Sequence, residues 1–467
     1  MNVKLFAATI ILLLCTACQS QLALLKPALT EDGEVYLYSH PFPQEAGNLR
    51  FNIDGVYAVK ADGAELPLAV TLAEFRESTL TRERLVASGA LQPGLYRGFS
   101  FKAGKAFLKG EKGEEELVVK EKPEIIDFPF EVKRKKAEVF TLSFKFRESA
   151  VTAPGFRAVF SLSIPARPLT SLTGYATNYG ANNITVFDKR SGEVLKVIET
   201  GKGPKSIVFD RNKLLAYTVI SGEDAIEVID LLSHEVINRI RLNTGDNPCE
   251  AALTPDGRNL LVVNEGSNTV SFIDPASNFE SSRVNVGSKP GSIIIDPEGK
   301  RGYVFNALSS NFSVIDIAAR TILATVTTES VPVRGDFSKR GDKLFVFHQW
   351  SPNLLVFDTS TLAVTKRIYT GIGVSFIMVD SATDRLYVAK KNSTMIDIYD
   401  AFSFIPMDFL KVADGASYMM VDGDENNLLL VLPEQNALQS INLVSKKERF
   451  LMDTGNAPYW SAIMGER

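Results

Sequence analysis

The chain has 467 residues, a formal net charge of −4 and an apolar fraction of 45%. This length predicts two or three domains, and the apolar fraction is high enough to fill a core, which excludes wholesale disorder. The acidic balance provides no broad basic field, so nucleic acid is not expected as a partner. Only three histidines and three cysteines occur, which argues against a disulfide framework and a His/Cys metal cluster, and we expect no metal or cofactor.

The first segment, 1–17, has the pattern of a signal peptide. One early positive charge precedes an apolar run from Leu5 to Leu14, which is too short to span a bilayer as a stable helix. The run ends in Leu14-Cys15-Thr16-Ala17-Cys18, which resembles the lipobox of bacterial lipoproteins. The resemblance implies cleavage before Cys18 and its modification with palmitate-type acyl chains. Cys15 stands where that family usually has Leu, and an ordinary cleaved signal is the alternative.

The position after the candidate lipid site bears on localisation. In Gram-negative sorting, as the resemblance implies, Asp at this position favours the inner membrane, so Gln19 favours the outer membrane. Residues 18–29 are then a tether, and we expect a monomer anchored to the membrane through the lipid on Cys18. Whether the protein faces the periplasm or the outside stays open.

The segment 30–165 carries alternating apolar patterns separated by turn signals, which predict the strands of a β-sandwich. The stretch Phe140–Phe146 alternates strictly, so one face of that strand is expected to be buried. Thr81–Ser88 is instead predicted to form one or two helical turns. The predicted strands are Val35–Tyr38, Leu49–Val59, Leu66–Leu72, Leu95–Phe101, Lys105–Leu108, Leu117–Val119, Phe128–Val132, Val139–Phe146 and Phe156–Ile164.

One loop of this segment has a clear physical basis. In Leu91-Gln92-Pro93-Gly94-Leu95-Tyr96 the proline fixes φ, Gly94 supplies a positive φ and Tyr96 begins the next strand. Together with an Ala-rich strand and a later Phe-x-Leu-x-Phe strand, this motif resembles a sandwich domain of unassigned function found in bacterial lipoproteins.

Two charge runs and a linker complete the first half. Glu114–Glu116 and Lys133–Lys136 are predicted to be solvated hairpin ends, with an intermolecular docking patch as the alternative. Residues 166–173 form a short linker that would hold the two domains near each other.

From residue 174 to residue 467 a β-rich unit repeats seven times. Its clearest mark is a strand that ends in Val-Ile-Asp or a close variant, at intervals of 42 to 44 residues. So regular a period indicates a propeller of four-stranded blades or an open array. The strands end at Asp188, Asp230, Asp274, Asp316, Asp358, Asp400 and Asn442.

Each unit begins with an innermost strand, usually opened by proline, and continues with a fully apolar strand, the Val-Ile-Asp strand and an edge strand. The units resemble the YVTN (YncE-like) β-propeller family, whose tetrapeptide appears loosely as Tyr175-Ala176-Thr177-Asn178 and whose turn appears as Pro255-Asp256-Gly257. The resemblance implies the propeller fold, whereas the family hosts several functions.

The two ends of the repeat predict how the ring closes. The first unit begins at Gly174, in its second strand, and Pro458–Ile463 is an innermost strand with no unit after it. Joined, they complete one blade and leave no open sheet edge. An open solenoid would need capping units, and none is recognised. We therefore predict an all-β protein, an N-terminal β-sandwich followed by a seven-bladed β-propeller closed by its C-terminal strand.

Binding residues are expected in the loops of one propeller face, where a rigid scaffold holds them. Several side chains there depart from the repeat and could form an aromatic and cationic pocket for an anionic or sugar-like ligand. The alternative is that the tryptophans pack between blades and the arginine pairs with a nearby carboxylate. The candidate ligand-binding residues are Arg334, His348, Trp350, Glu265, Tyr459 and Trp460.

No catalytic constellation can be recognised, and without a Cys-x-x-Cys-His motif no covalent c-type haem is expected. The recurring strand-end Asp residues are interpreted as bonding turn amides, and Cys249 as a small core residue. The preferred function is a lipid-anchored, non-enzymatic binding or scaffold protein of the cell envelope, whose propeller meets a protein, glycan or small ligand. The alternative is a propeller subunit or domain of a periplasmic redox system, because the resemblance extends to quinoprotein amine dehydrogenases and haem-binding nitrite reductases.

Overall fold

The structure, a computed structural model, describes residues 31–110, 113–119, 124–149, 155–167 and 169–465. The predicted signal peptide, the tether and Cys18 lie outside these residues. Within the described ranges, no helix has the length and apolar character needed to cross a membrane. The helical elements of this part of the chain are short 3-10 turns at Gln44–Ala46, Thr170–Leu172, Ser221–Glu223 and Pro433–Gln435.

The N-terminal domain is a curled ten-stranded sheet. Its strands are β1 Gly33–Ser39, β2 Leu49–Lys60, β3 Glu65–Val70, β4 Glu74–Phe75, β5 Arg84–Leu91, β6 Gly94–Gly110, β7 Gly113–Leu117, β8 Glu124–Val132, β9 Ala137–Phe144 and β10 Phe160–Ser163. The order is β10-β9-β1-β5-β3-β2-β6-β7, with β4 beside β2 and β8 beside β6. Strands β1 and β9 are parallel, whereas the other pairs are antiparallel. The curl lets the two halves face each other, which is roughly the predicted sandwich.

Phenylalanine rings fill the space between the two halves of this sheet. The ring centroids of Phe51 on β2 and Phe144 on β9 are 5.0 Å apart, and those of Phe99 on β6 and Phe140 on β9 are 5.2 Å apart. All four side chains are buried, and full burial of such a side chain contributes about 1.5–3 kcal/mol. These contacts hold the curl.

The prediction of helical turns at Thr81–Ser88 is wrong. Arg84–Leu91 forms β5, which lies between β1 and β3. Val86 and Ala87 are fully buried against the core. Burial on a pleated surface here outweighs the local helix propensity of a short segment rich in Arg and Glu.

The loop before β6 behaves as its sequence indicates. Gly94 has a φ of 149°, and the Tyr96 hydroxyl donates a hydrogen bond of 2.9 Å to the Gln92 carbonyl. Strand β6 then continues without interruption to Gly110, so the two strands predicted at Leu95–Phe101 and Lys105–Leu108 are one.

Seven four-stranded antiparallel sheets form the blades of the propeller. Within each blade successive strands run from the centre outward, except that the innermost strand of blade 1 comes from the end of the chain. The blades are, in order, blade 1 with β11 Thr173–Asn178, β12 Asn183–Asp188, β13 Val194–Glu199 and β38 Pro458–Ile463; blade 2 with β14 Pro204–Asp210, β15 Leu215–Ile220, β16 Ala225–Asp230 and β17 Glu235–Arg241; blade 3 with β18 Pro248–Leu253, β19 Leu260–Asn264, β20 Thr269–Asp274 and β21 Phe279–Asn285; blade 4 with β22 Pro290–Ile295, β23 Arg301–Asn306, β24 Asn311–Asp316 and β25 Thr321–Thr327; blade 5 with β26 Pro332–Phe337, β27 Lys343–His348, β28 Asn353–Asp358 and β29 Val364–Tyr369; blade 6 with β30 Val374–Asp380, β31 Arg385–Lys390, β32 Met395–Asp400 and β33 Pro406–Lys411; and blade 7 with β34 Tyr418–Asp422, β35 Asn427–Leu432, β36 Ala437–Asn442 and β37 Glu448–Asp453.

The predicted closure is confirmed, because β38 pairs antiparallel with β11 in blade 1, with Tyr175 opposite Ala462 and Thr177 opposite Trp460. The Thr177 hydroxyl accepts a hydrogen bond of 3.1 Å from the Trp460 amide. It also donates one of 2.5 Å to the Lys205 carbonyl on the neighbouring blade. One buried hydroxyl thus joins both ends of the ring to blade 2.

The predicted role of the strand-end Asp residues is also confirmed. Asp188 accepts hydrogen bonds from the amides of Arg190 and Ser191, at 2.8 and 2.9 Å. Asp230 does the same for Leu232 and Ser233, at 2.9 and 2.7 Å. These bonds satisfy turn amides that would otherwise need water.

The N-terminal domain packs on the outer strands of blades 1 and 7. Tyr38 and Val139 share an apolar cluster with Val194, Phe450 and Met452 of the propeller. Their burial away from water favours a fixed arrangement of the two domains rather than a loose tether.

Polar contacts from the start of β5 reinforce this interface. The Asp453 carboxylate accepts hydrogen bonds from Arg84 at 2.7 Å and Arg82 at 3.1 Å. Between these arginines, Glu83 accepts a hydrogen bond of 2.8 Å from the Val194 amide. Burial raises the pKa of Glu83 to about 8.

Removal of residues 458–467 is expected to open the ring. Trp460, Ile463 and Met464 are buried in the structure, and burial of each side chain contributes about 1.5–3 kcal/mol to the free energy of unfolding. The deletion removes these contributions and exposes the residues that pack against them. The melting temperature should therefore fall by at least about 10 °C, at roughly 2–4 °C per kcal/mol. Circular dichroism melting checks this, with deletion of 466–467 alone as the control. A full deletion that melts like the intact chain contradicts the closure argument.

Substitution Glu83→Gln tests the interface through its pH dependence. A carboxyl whose pKa is near 8 in the folded state and near 4.3 when unfolded holds an extra proton in the folded state between these pH values. Its contribution to stability is therefore present at low pH and lost as pH rises toward 8. The amide keeps the acceptor for Val194, so the variant should lose less melting temperature than the wild type between pH 5 and 8. Parallel curves for the two proteins would refute this; Glu65→Gln, at an exposed carboxyl, is the control.

Candidate functional site

The innermost strands of the seven blades surround a central channel. We count positions from the opening proline of each strand, or from the residue at the same position where proline is absent. At the third position the blades differ from one another and carry mostly polar or aromatic side chains. These residues are Ser206, Glu250, Ser292, Arg334, Phe376, Tyr418 and Trp460.

Arg334 of blade 5 closes this channel by contacts with four other blades. Its Nη1 donates hydrogen bonds to Glu250 Oε1 at 2.5 Å and to Ser292 Oγ at 3.2 Å. Its guanidinium carbon lies 4.9 Å from the Trp460 ring centroid and 5.3 Å from that of Phe376. A cation over aromatic faces at these distances is attractive, more so when water is excluded.

Aromatic stacking extends the closure to blade 7. The Tyr418 ring lies 4.1 Å from the Trp460 ring and 4.8 Å from the Phe376 ring, centroid to centroid. The three rings and the Arg334–Glu250 pair form what we call the channel floor. The floor includes Trp460 of the closing strand, so it also secures the closure.

The charges of the channel floor are mutually dependent. Burial alone would lower the pKa of Arg334, but the adjacent Glu250, together with Tyr418 and Asp336, raises that pKa overall. Two residues further, Asp336 accepts a hydrogen bond of 2.7 Å from the Val379 amide of blade 6, and burial raises its pKa to about 6. A buried carboxylate such as Glu250 needs its cation, because an isolated buried charge is very costly.

Above the floor, charged and aromatic side chains lie together on one propeller face. Lys205 Nζ lies 3.9 Å from Glu265 Oε2, and Lys289 Nζ lies 3.7 Å from Glu265 Oε1. Lys205 Nζ also lies 6.0 Å from the ring centroids of both Tyr179 and Tyr459. These five residues form what we call the cup.

The cup is open to solvent. Tyr459 is 40% exposed, and Gly291 on the channel wall has no neighbouring atom within 4 Å of the position that a Cβ would take. Exposed tyrosine faces beside a lysine and a carboxylate can stack on a sugar ring and bind its hydroxyl or anionic substituents.

The structure brings four of the six predicted residues into the channel and separates two. Arg334 and Trp460 belong to the floor, where the arginine meets a carboxylate and the tryptophan packs between blades, as the alternative interpretation held. Glu265 and Tyr459 belong to the cup. His348 and Trp350 lie elsewhere.

His348 replaces an asparagine that other blades use internally. At the same position Asn264 donates from Nδ2 to the hydroxyls of Thr269 and Ser271, at 3.0 and 2.8 Å. His348 Nε2 instead lies 2.6 Å from Thr328 Oγ1. The histidine is buried, and burial lowers its pKa to about 4. Its contact with Thr328 joins blade 5 to the loop that follows blade 4.

Trp350 lies on the loop after β27, on the face that carries the cup, and is 68% exposed. It therefore does not pack between blades, and the alternative interpretation is wrong for this residue. Leu308 and Ile372 are exposed on loops of the same face. Exposed apolar groups that share one face are typical of a surface that contacts a partner.

The sequence interpretation missed three residues of the cup, Lys205, Tyr179 and Lys289. It also missed three of the floor, Glu250, Phe376 and Tyr418. A signal for the floor was present, since alignment of the seven innermost strands isolates the third position as the one that varies most in chemistry. The cup residues carry no such mark, because Lys and Tyr are common in loops.

Within the described residues, no group of three or more His, Cys, Asp or Glu side chains is arranged to hold a metal ion. The predicted core placement of Cys249 agrees with its burial.

Comparison with known proteins supports the fold. The sequence profile of the family described as YNCE-like beta-propeller matches residues 251–455. No curated protein matches the chain.

Solved structures with a similar fold have low sequence identity to this chain. A functionally unknown protein from Desulfotomaculum acetoxidans DSM 771 has 15% identity and a TM-score of 0.56 over 63% of this chain and 99% of that one. The dihydro-heme d1 dehydrogenase NirN, in complex with DHE, has 15% identity and a TM-score of 0.51 over 65% and 78%. Kuenenia stuttgartiensis hydrazine synthase has 17% identity and a TM-score of 0.49 over 61% and 93%. At these identities the likeness concerns the fold alone.

Substitution Arg334→Met tests the channel floor. It leaves the Glu250 charge buried without its cation, and loss of one partner of a buried ion pair costs about 3–5 kcal/mol of unfolding free energy. Urea unfolding measures this cost. The double variant Arg334→Met/Glu250→Gln should regain part of it, because the stranded charge is removed. Equal stability of Arg334→Met and wild type would show that the pair does not support the ring.

The family profile covers the middle of the propeller, and the structure shows the complete ring. Taken together, residues 251–455 are similar to the YNCE-like beta-propeller family, and the chain carries a seven-bladed β-propeller behind a curled β-sheet domain.

Proposed function

We propose that this protein is a lipid-anchored binding or scaffold protein of the cell envelope, and that the cup is where it meets its partner or ligand. The observation that carries the proposal is the exposed Tyr459 beside Lys205 and Glu265. These residues lie at the mouth of the channel, and the floor fills the channel below them. The cup offers stacking faces, a cation and an acceptor on a rigid ring.

The chemistry of the cup favours an anionic or sugar-like group, carried by a glycan, a small molecule or a glycan-like surface of a protein. Lys205 is held between two tyrosine rings and Glu265, so its ammonium group is oriented before a ligand arrives. Such preorganisation reduces the entropy cost of binding. The exposed apolar residues Leu308, Trp350 and Ile372 on the same face extend the area available to a larger partner.

The anchor is part of the same proposal. Its support is the lipobox-like sequence ending at Cys18 and the absence of Asp at Gln19, which favours the outer membrane. Because the N-terminal domain packs in a fixed position on blades 1 and 7, it would then connect the lipid anchor rigidly to the propeller.

The test is cross-linking in intact cells followed by mass spectrometry. The wild type should capture an envelope component, and Tyr459→Ala with Lys205→Ala should reduce that capture at least about tenfold, the loss that ~1.4 kcal/mol produces. Phe402→Ala is the matched control, because Phe402 is an exposed aromatic residue in a turn at the opposite face and should leave capture unchanged.

The same preparations test the lipid anchor and the alternative redox function. Cys18→Ser should move the protein from the membrane fraction to the soluble fraction. If the cup variants capture the same component as the wild type, the cup is not the site. A purified wild-type protein with haem or quinone absorbance would instead favour the redox alternative.

A further inference from the structure

A recess lies between the two domains. It has a volume of about 900 Å³ and is bounded by the turn between β8 and β9, the segment 164–167, strand β13 with residues 200–201 after it, and parts of β16 and β17. We call it the interdomain cleft. Its size falls within the roughly 300–1,000 Å³ of small-molecule sites, and none of the cup residues lines it.

The interdomain cleft is basic although the protein is acidic. Seven Lys and Arg side chains line it against five Glu side chains, whereas the whole chain has a net charge of −4. The run Lys133–Lys136, interpreted from sequence as a solvated hairpin end, forms part of the wall and reaches the propeller through an ion pair between Lys136 and Glu235. An anion entering the cleft therefore meets a local field opposite in sign to that of the molecule.

Lys196 and Arg167 are the cations best placed to bind an anion in the cleft. Lys196 on β13 is half-buried, and its Nζ donates one hydrogen bond, of 2.9 Å, to the Ser233 carbonyl. An ammonium group has three donors, and among the described residues no carboxylate lies within 4 Å of this one. Over the same part of the chain, Arg167 has neither a hydrogen bond nor an ion pair.

The electrostatics of neighbouring groups show that these cations act on one another. Burial lowers the pKa of Lys196, and Lys136 and Arg167 lower it further, against opposing effects of Glu235 and Glu138. Burial, Lys196 and Arg167 together lower the pKa of His234 to about 4, so its ring adds no charge at neutral pH. A ligand with two negative charges would relieve this repulsion.

We propose that the interdomain cleft binds a phosphate group, held by Lys196 from the propeller and Arg167 from the linker. Arginine is suited to phosphate because its planar donors pair with two oxygens at once. Lys136 adds a third positive charge at the edge. The group belongs either to a soluble small molecule or to a lipid headgroup, and both present the same oxygens.

Binding at this place has a mechanical consequence. Because the ligand contacts both domains, it stabilises their packed arrangement, by RT ln(1 + [L]/Kd) for a ligand that binds only the folded protein. The site is independent of the cup, so Tyr459→Ala should leave it intact.

The experiment titrates purified protein with inorganic phosphate and follows the melting temperature, with sodium chloride at equal ionic strength as the reference. The wild type should show a saturable rise that chloride does not reproduce. Lys196→Gln and Arg167→Gln should each weaken phosphate binding at least tenfold. Phosphorus NMR line broadening provides a second readout that does not depend on the stability of the variant.

Lys366→Gln is the matched control. Lys366 holds the same position on the outer strand of blade 5, opposite Val356, that Lys196 holds opposite Val186 in blade 1, but it lies in the open. The Lys366→Gln variant should bind phosphate like the wild type. Vesicles of phosphatidylglycerol form a separate arm, and flotation of wild type but not of Lys196→Gln would identify a lipid headgroup as the source.

Two results overturn the proposal. One is phosphate binding by Lys196→Gln and Arg167→Gln that equals that of the wild type. The other is a melting shift that chloride reproduces at the same ionic strength, since this would show general screening rather than a site.

Discussion

The antiparallel pairing of Pro458–Ile463 with Thr173–Asn178 is the contact on which the propeller depends. Without it, blade 1 has no innermost strand and the ring has two open sheet edges. The Thr177 hydroxyl connects this pair to blade 2 through Trp460 and Lys205. The channel floor then depends on the same strand, because Trp460 supplies one of the aromatic faces around Arg334. Ring closure and channel closure are therefore one cooperative event.

The channel floor explains why the binding surface lies at the mouth rather than deep in the ring. Arg334 pairs with the Glu250 carboxylate, and the rings of Trp460 and Tyr418, in contact with each other, occupy the remaining width of the channel. What is left for a ligand is the cup, whose groups are partly exposed. Residues that vary among blades thus lie at two depths: those of the floor pack across the ring, and those of the cup form the proposed binding surface.

The fixed N-terminal domain adds a second environment. The arginines beside Asp453 and the buried cluster around Tyr38 hold it against blades 1 and 7. That contact leaves the interdomain cleft at its margin, where Lys196 of the propeller and Arg167 of the linker face the same space. None of the cup residues lines the interdomain cleft, so the two proposed sites can be tested separately.

The ring, its seven blades and its closing strand could be predicted from the sequence, because a period near 42 residues and the half-blades at its ends are local patterns. It also determined the role of residues such as Asp188, whose hydrogen bonds are to amides two and three positions away. Tertiary contacts, and not local pattern, place Arg334 beside Glu250, 84 positions away. They also place His348 beside Thr328 of the loop between blades 4 and 5 and put Arg84–Leu91 in a strand. Contacts across a ring depend on which blades face each other and how deep each side chain lies, and neither is encoded in the spacing of the repeat.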